Sequence, residues 1–421
     1  KKQCLKDTQR KNMNKKNAGY EKNLKRLMSF MMSVLFAFSL LAGSACNNAK
    51  TINDYPEPVT QAAPSDAENN EGNTAENDTK PAEKEEETLD EALLPEYDSL
   101  REKGVFEFNP TAVNPVFKME MKNKPKIVRV AKEILEAVHD AKPSFELTGD
   151  LACNEAEMKL ARSLAELSSP VCYCVDISTE DMETYTISYF PSYESDQFGD
   201  ETMTGAISEE EAKEKIDAYK ELCENLINET LTDKDDDMQR AAKIYKKIIE
   251  TYEFVYPDPE EQNMDDSEEG MVTASYETED YVVSQILSGK MHSWQFLEFY
   301  EGLMVQLNVN TMMLGCMGKY NAQNFSLLDK TMNESNDGGF VWMIVMADDK
   351  AYHCDILMDK MALDSQRENF EEYESDMLFF GMSDETRGKS FTMYYTQAFE
   401  SINPINKTSV PKCEEDYKLE L

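Results

Sequence analysis

A hydroxyl, two imidazoles and a carboxylate stand in one half of this chain: Ser293 beside His292, then His353 and Asp355. A nucleophile, a base and an orienting acid are the three parts of nucleophilic acyl chemistry. A serine hydroxyl at a helix start needs an adjacent base to lose its proton. His292 neighbours Ser293, but consecutive residues at a helix start point about 100° apart, which turns the ring away. His353 and Asp355 are two apart, so on a strand they share a face, and His353 is the candidate substitute base. Cys354 points to the other face. Trp294, Phe296, Phe340 and Trp342 surround these groups, either as walls of a cleft or as core wedges between helix and sheet.

The elements that must position these groups are legible around them. Met291 to Tyr300 opens a helix ending near Leu307, and Val309 to Cys316 reads as a strand. After a polar loop, Phe340 to Met346 is a second strand. The turn Ala347-Asp348-Asp349-Lys350 leads to a third, predicted over Tyr352 to Leu357.

This order resembles the transglutaminase-like domain, a papain-type fold. In that family a Gly-Lys-x-x-Cys segment starts a buried helix, a His-x-Trp strand follows, and a third strand ends in Asp. Here Gly289-Lys290 matches the Gly-Lys, Phe296 the aromatic that follows, Trp342 the Trp of His-x-Trp, and Tyr352-His353-Cys354-Asp355 the last strand. Phe379-Phe380-Gly-Met-Ser383-Asp384 resembles a further family segment, and the likeness covers about residues 240–390. The resemblance implies an α+β fold, a papain-like helix packed on an antiparallel sheet, with catalytic positions 293, 340 and 355. Ser293 then occupies the cysteine's place and Phe340 the histidine's, while Asp355 is kept. Phe340 cannot accept a proton, and losing either nucleophile or base removes most of triad catalysis. The expectation is a degenerate triad, with Trp294, Phe296 and Trp342 lining what was the cleft.

Charge and composition set the surroundings. The 421 residues carry 82 Asp and Glu against 43 Lys and Arg, a net charge of −39, which excludes nucleic acid as a partner. Residues 1–26 are the exception, with ten Lys and Arg against Asp7 and Glu21. An apolar run, Leu27 to Leu41, and the small residues Ala42 to Ala45 follow, so residues 1–45 read as a signal peptide. Cys46 resembles the lipid-bearing cysteine of a bacterial lipoprotein, with ordinary cleavage after Ala45 as the competing route. Either route exports the chain, leaving it membrane-anchored through Cys46 or extracellular. Residues 46–95 are acidic and poor in large apolar side chains, as a disordered tether would be.

Between tether and helix, residues 96–232 read as a small α+β domain, and 233–421 as the transglutaminase-like domain. Helical spacing marks 128–138 and 158–167. Val171 to Ile177 and Thr184 to Phe190 read as strands, and Ser208 caps a helix to about Ile227. Another helix runs from about Asp236 to Glu253. Asp233-x-Asp235-x-Asp237 lacks the glycine and glutamate of a calcium loop and reads as a helix start. The cysteines show no zinc-like spacing, so no metal or other cofactor is expected.

The expected function is a non-catalytic surface module that binds an extracellular peptide or glycan, or acts as a scaffold. The alternative is an active peptide hydrolase or amide transferase with a relocated Ser/His/Asp set. A solute-capturing lipoprotein would need a longer alternation of strand and helix than this chain has.

Overall fold

A computed structural model of the protein describes residues 90–195, 201–255, 282–320, 338–369, 377–398 and 410–418. The described residues form a mixed α+β structure of helices and small antiparallel sheets. The signal segment 1–45, Cys46, the tether up to residue 89 and the acidic loop 257–270 lie outside the described residues.

The chain enters the core earlier than its composition predicts. Ala92 and Leu93, in the stretch read as tether, are buried, and Lys118 Nζ donates to Leu94 O at 2.8 Å. Two short helices, α1 (Ser99–Lys103) and α2 (Pro115–Glu120), lead to α3 (Pro125–His139). Strand β1 (Ser144–Glu146) and helix α4 (Glu155–Glu166) follow, then β2 (Val175–Thr179) and β3 (Thr184–Tyr189). These strands form a sheet in the order β1-β3-β2. A hairpin, β4 (Ser192–Ser195) and β5 (Glu201–Gly205), precedes α5 (Glu209–Thr230) and α6 (Asp237–Thr251).

Helix starts follow their caps. Asn154 and Glu157 make a capping box on α4, Asp236 and Gln239 make one on α6, and Ser208 caps α5. The strand expected from Val171 is instead a 3₁₀ turn over Pro170–Cys174, and β2 begins only at Val175. Pro170 suits the first position of a helical turn, and the Ser169 hydroxyl accepts from Val171 N–H. The aspartates at 235–237 are spent on helix α6. Asp235 holds Lys243 at 2.6 Å, Asp236 caps the helix and Asp237 pairs with Arg101.

After α7 (Val282–Ser288), strand β7 (Lys290–Met291) pairs in parallel with β6 (Glu253–Phe254). Helix α8 (Ser293–Gln306) then packs on a five-stranded antiparallel sheet ordered β11-β10-β9-β8-β12. Its strands are β8 (Asn310–Tyr320), β9 (Gly338–Ala347), β10 (Lys350–Cys354), β11 (Phe380–Met382) and β12 (Phe391–Ala398). Helices α9 (Ile356–Asn369) and α10 (Asp384–Ser390) connect them. Asp348 and Asp349 both take positive φ, as a tight two-residue hairpin requires.

One hydrophobic core joins residues on both sides of position 232. The Gln306 side-chain amide clasps the backbone N–H and C=O of Asn109, both at 2.9 Å. Arg240, fully buried on α6, reaches Asp98 Oδ2 at 2.6 Å and Leu307 O at 3.3 Å. Among the described residues no helix is long and apolar enough to cross a membrane.

Candidate functional site

The start of α8 is built by the residues before it. Gly289 adopts φ +74°, a left-handed turn that glycine enters without strain, and ends α7. The short parallel pairing of β6 and β7 then aims the chain into α8, with Ser293 as its first residue and His292 as N-cap. His292 Nδ1 donates to Val255 O at 3.1 Å, which ties the ring to the segment after β6. The side chains of Ser293, Trp294 and Phe340 lie outside the described residues, so their backbone positions are what can be placed. Phe340 lies on β9 opposite Cys316, and Trp342 lies opposite Leu314.

Trp342 and Phe296 are fully buried, so they serve as core aromatics and not as walls of an open cleft. The Phe296 ring lies 5.9 Å from Phe254. Trp342 Nε1 donates to His353 Nδ1 at 2.9 Å, and His353 Nε2 lies 2.9 Å from Asp384 Oδ1. An indole nitrogen only donates, so His353 Nδ1 must be the bare nitrogen and Nε2 carries the hydrogen given to Asp384. Both ring nitrogens are committed. Burial lowers the His353 pKa to about 4, outweighing the bond to Asp384, and the nearby Arg387 lowers it further. His353 is therefore a neutral structural imidazole, without a lone pair to offer Ser293.

The third strand is shorter than its apolar run predicts: it ends at Cys354, and Ile356 already opens α9. Asp355 causes the break. Its Oδ1 accepts from Met358 N–H at 3.1 Å, as an N-cap does, while its own N–H goes to Phe379 O at 2.8 Å. Its other oxygen takes Arg387 Nη1 at 2.7 Å, an ion pair with both partners buried. The Arg387 guanidinium also lies over the Trp342 ring, 4.4 Å from its centroid. Asp355 thus faces a guanidinium where a triad would set an imidazole. Sequence reasoning missed Arg387, which pairs 32 residues away with no local signal.

Three metal-type donors converge nearby. His353 Nε2, Asp384 and Cys413 Sγ lie within 4.8 Å of one another. They do not fit a metal ion. A metal would need the Nε2 lone pair, and the ring hydrogen would then sit on Nδ1, pointing at the Trp342 N–H. The thiols are equally quiet. Burial pushes Cys174, Cys223 and Cys413 up to about 12, and the six described free cysteines are all buried.

Two further carboxyls went unnoticed in the sequence. Glu298 and Glu301 lie on one face of α8, one and two turns beyond its start. Burial pushes Glu298 up to about 8, and Oε2 has no hydrogen-bond partner among the described residues. Glu301 is driven well above the usual range by burial and then by Glu298, and its Oε1 accepts from Asn114 Nδ2 at 3.2 Å. Two glutamates three apart on a largely apolar helix were the available signal.

An open groove of about 750 Å³ lies at the turn joining β9 and β10, away from Phe340, which is near the opposite end of β9. Asp348, Asp349, Lys350, Pro411, Glu414 and Glu415 are among its walls.

No model of a known protein family matches the chain, and no curated protein matches it.

Proposed function

We propose that residues 233–421 are a transglutaminase-like domain without the reaction, exported and surface-anchored, which binds a peptide or glycan or serves as a scaffold. The order of elements supports this reading: a helix beginning at Ser293, then three consecutive antiparallel strands carrying positions 340, 342 and 353. The observation that carries it is the Asp355–Arg387 pair. A triad carboxylate orients an imidazole; this one is neutralised by a guanidinium and caps a helix. The relocated-triad alternative loses its base, because His353 is held between Trp342 and Asp384. The basic start, apolar run and small residues before Cys46 support export.

Electrophilic probes test the reading. Fluorophosphonate and iodoacetamide reagents should leave the folded protein unlabelled, and Ser293→Ala should change nothing. Labelling at Ser293 would return the chain to the enzymes. Ser293→Cys combined with Phe340→His should produce a thiol that reacts at neutral pH; an inert thiol in a folded variant would refute the alignment.

A further inference from the structure

The five-stranded sheet ends at β11, and among the described residues the outer side of this strand carries no further strand. Residues 410–418 lie there as an irregular strap with a bend at Glu415. Tyr417 N–H donates to Gly381 O at 2.7 Å, and Asp384 N–H donates to Cys413 O at 2.8 Å. As 381 advances to 384 the strap runs back from 417 to 413, so the two run antiparallel. Asp416 fixes the register: its carboxylate takes Ser383 N–H at 2.7 Å and Thr386 Oγ1 at 2.9 Å. The Tyr417 ring meets Tyr352 edge-on at 5.5 Å and Phe380 at 6.4 Å.

The receiving strand is shaped for this chain. Gly381 sits at φ +75°, and a Cβ there would stand 2.7 Å from Tyr417 Cβ. Only a bare α-carbon admits the strap so closely. The strap is only partly buried, with Val410 and Tyr417 packed half-buried against the core. Cys413 is its one buried residue, while Lys412, Glu414, Glu415, Asp416 and Lys418 are exposed. Main-chain bonds, the carboxylates of Asp416 and Glu415 (the latter paired with Lys350 on β10) and one aromatic ring hold it, much as a sheet edge recognises a peptide. Segments only partly buried open at lower free energy than core strands.

We propose that the outer edge of β11 is a peptide-recognition site, occupied here by the chain's own residues 410–418. The ligand it takes in trans is a peptide with an aspartate followed by an aromatic residue, and a small apolar residue three places before the aspartate. This rests on the binding-module reading and commits that reading to peptide. Removal of the strap would bare the edge and one wall of the adjoining groove, which Pro411, Glu414 and Glu415 supply.

Exchange tests it. A protease site is placed between Ala398 and Val410 in the full chain, and the folded protein is cut. The probe is a fluorescein-labelled peptide of residues 410–418. The cut protein should bind it at least about tenfold more tightly than the uncut protein, which its tethered strap protects. Peptides carrying Asp416→Ala or Tyr417→Ala should bind at least about tenfold more weakly. Uncut protein carrying Asp416→Ala and Tyr417→Ala together should take up the parent peptide without any cut. Failure of both the cut protein and the double variant to bind at millimolar peptide overturns the proposal. So does equal binding of a scrambled peptide, or unfolding when the strap leaves. Electrophile labelling at Ser293 would sink the non-catalytic reading and leave this exchange untouched, so the two failures are distinguishable.

Discussion

The indole N–H of Trp342 donates to Nδ1 of His353 at 2.9 Å, and that bond fixes which hydrogen the imidazole carries. Protonating the ring would set a second N–H against the indole, beside the Arg387 guanidinium. The neutral ring is the form the fold selects.

Acid should therefore destabilise the protein through His353. Its pKa falls from 6.5 unfolded to about 4 folded. The stabilisation is complete above pH 6.5 and is lost as pH falls toward 4, because the unfolded chain takes up the proton first. The loss is about 3 kcal/mol. His139, also lowered to about 4 by burial, adds a similar slope. Urea melts at pH 7 and pH 4.5 should show that His353→Gln removes roughly half of the histidine contribution.

Trp342→Phe should free Nδ1 to accept a proton. The His353 pKa then rises, visible as a shift of its ring resonances in an NMR titration, and stability falls by about 2 kcal/mol. An unchanged titration would mean that the indole does not set the tautomer.

Arg387→Met should leave the Asp355 carboxylate buried and unpaired, at a loss of about 3–5 kcal/mol. Adding Asp355→Asn should recover part of that loss in a thermal or urea melt. Two losses that simply add would show that the pair is not coupled.

Glu298→Gln should flatten the alkaline side. Burial raises the Glu298 pKa from 4.5 to about 8. The folded protein holds this proton more tightly than the unfolded chain, so stability is lost as pH rises from about 4.5 through 8. The variant should match the parent near pH 4 and exceed it near pH 9 by up to about 5 kcal/mol, read from denaturant midpoints.

Local chemistry was readable in the chain; distant pairing was not. Ser208 and Asp236 announce the helices they cap, and the Asp348-Asp349 turn announces the hairpin. The apolar run through Leu357 suggested more strand, but a carboxylate facing its own downstream N–H groups turned the chain into α9. Ser169-Pro170 likewise turned the first half of an expected strand into a 3₁₀ turn, leaving the strand to begin at Val175. Arg387 finds Asp355, and Tyr417 finds Gly381, across intervals that carry no periodicity. The two glutamates of α8 stand three apart in the sequence, but what packs over them does not show there. Asn114, the partner of Glu301, comes from a segment nearly two hundred residues earlier.

The clasp between Gln306 and the Asn109 backbone bears on how this protein could be taken apart. A recombinant piece starting at residue 233 would lose Asn109, Asn114 and Asp98 together. The end of α8 and the buried guanidinium of Arg240 would then face water that the intact molecule keeps out. Such a piece should come out of the cell as insoluble material, whereas the two halves expressed together should not.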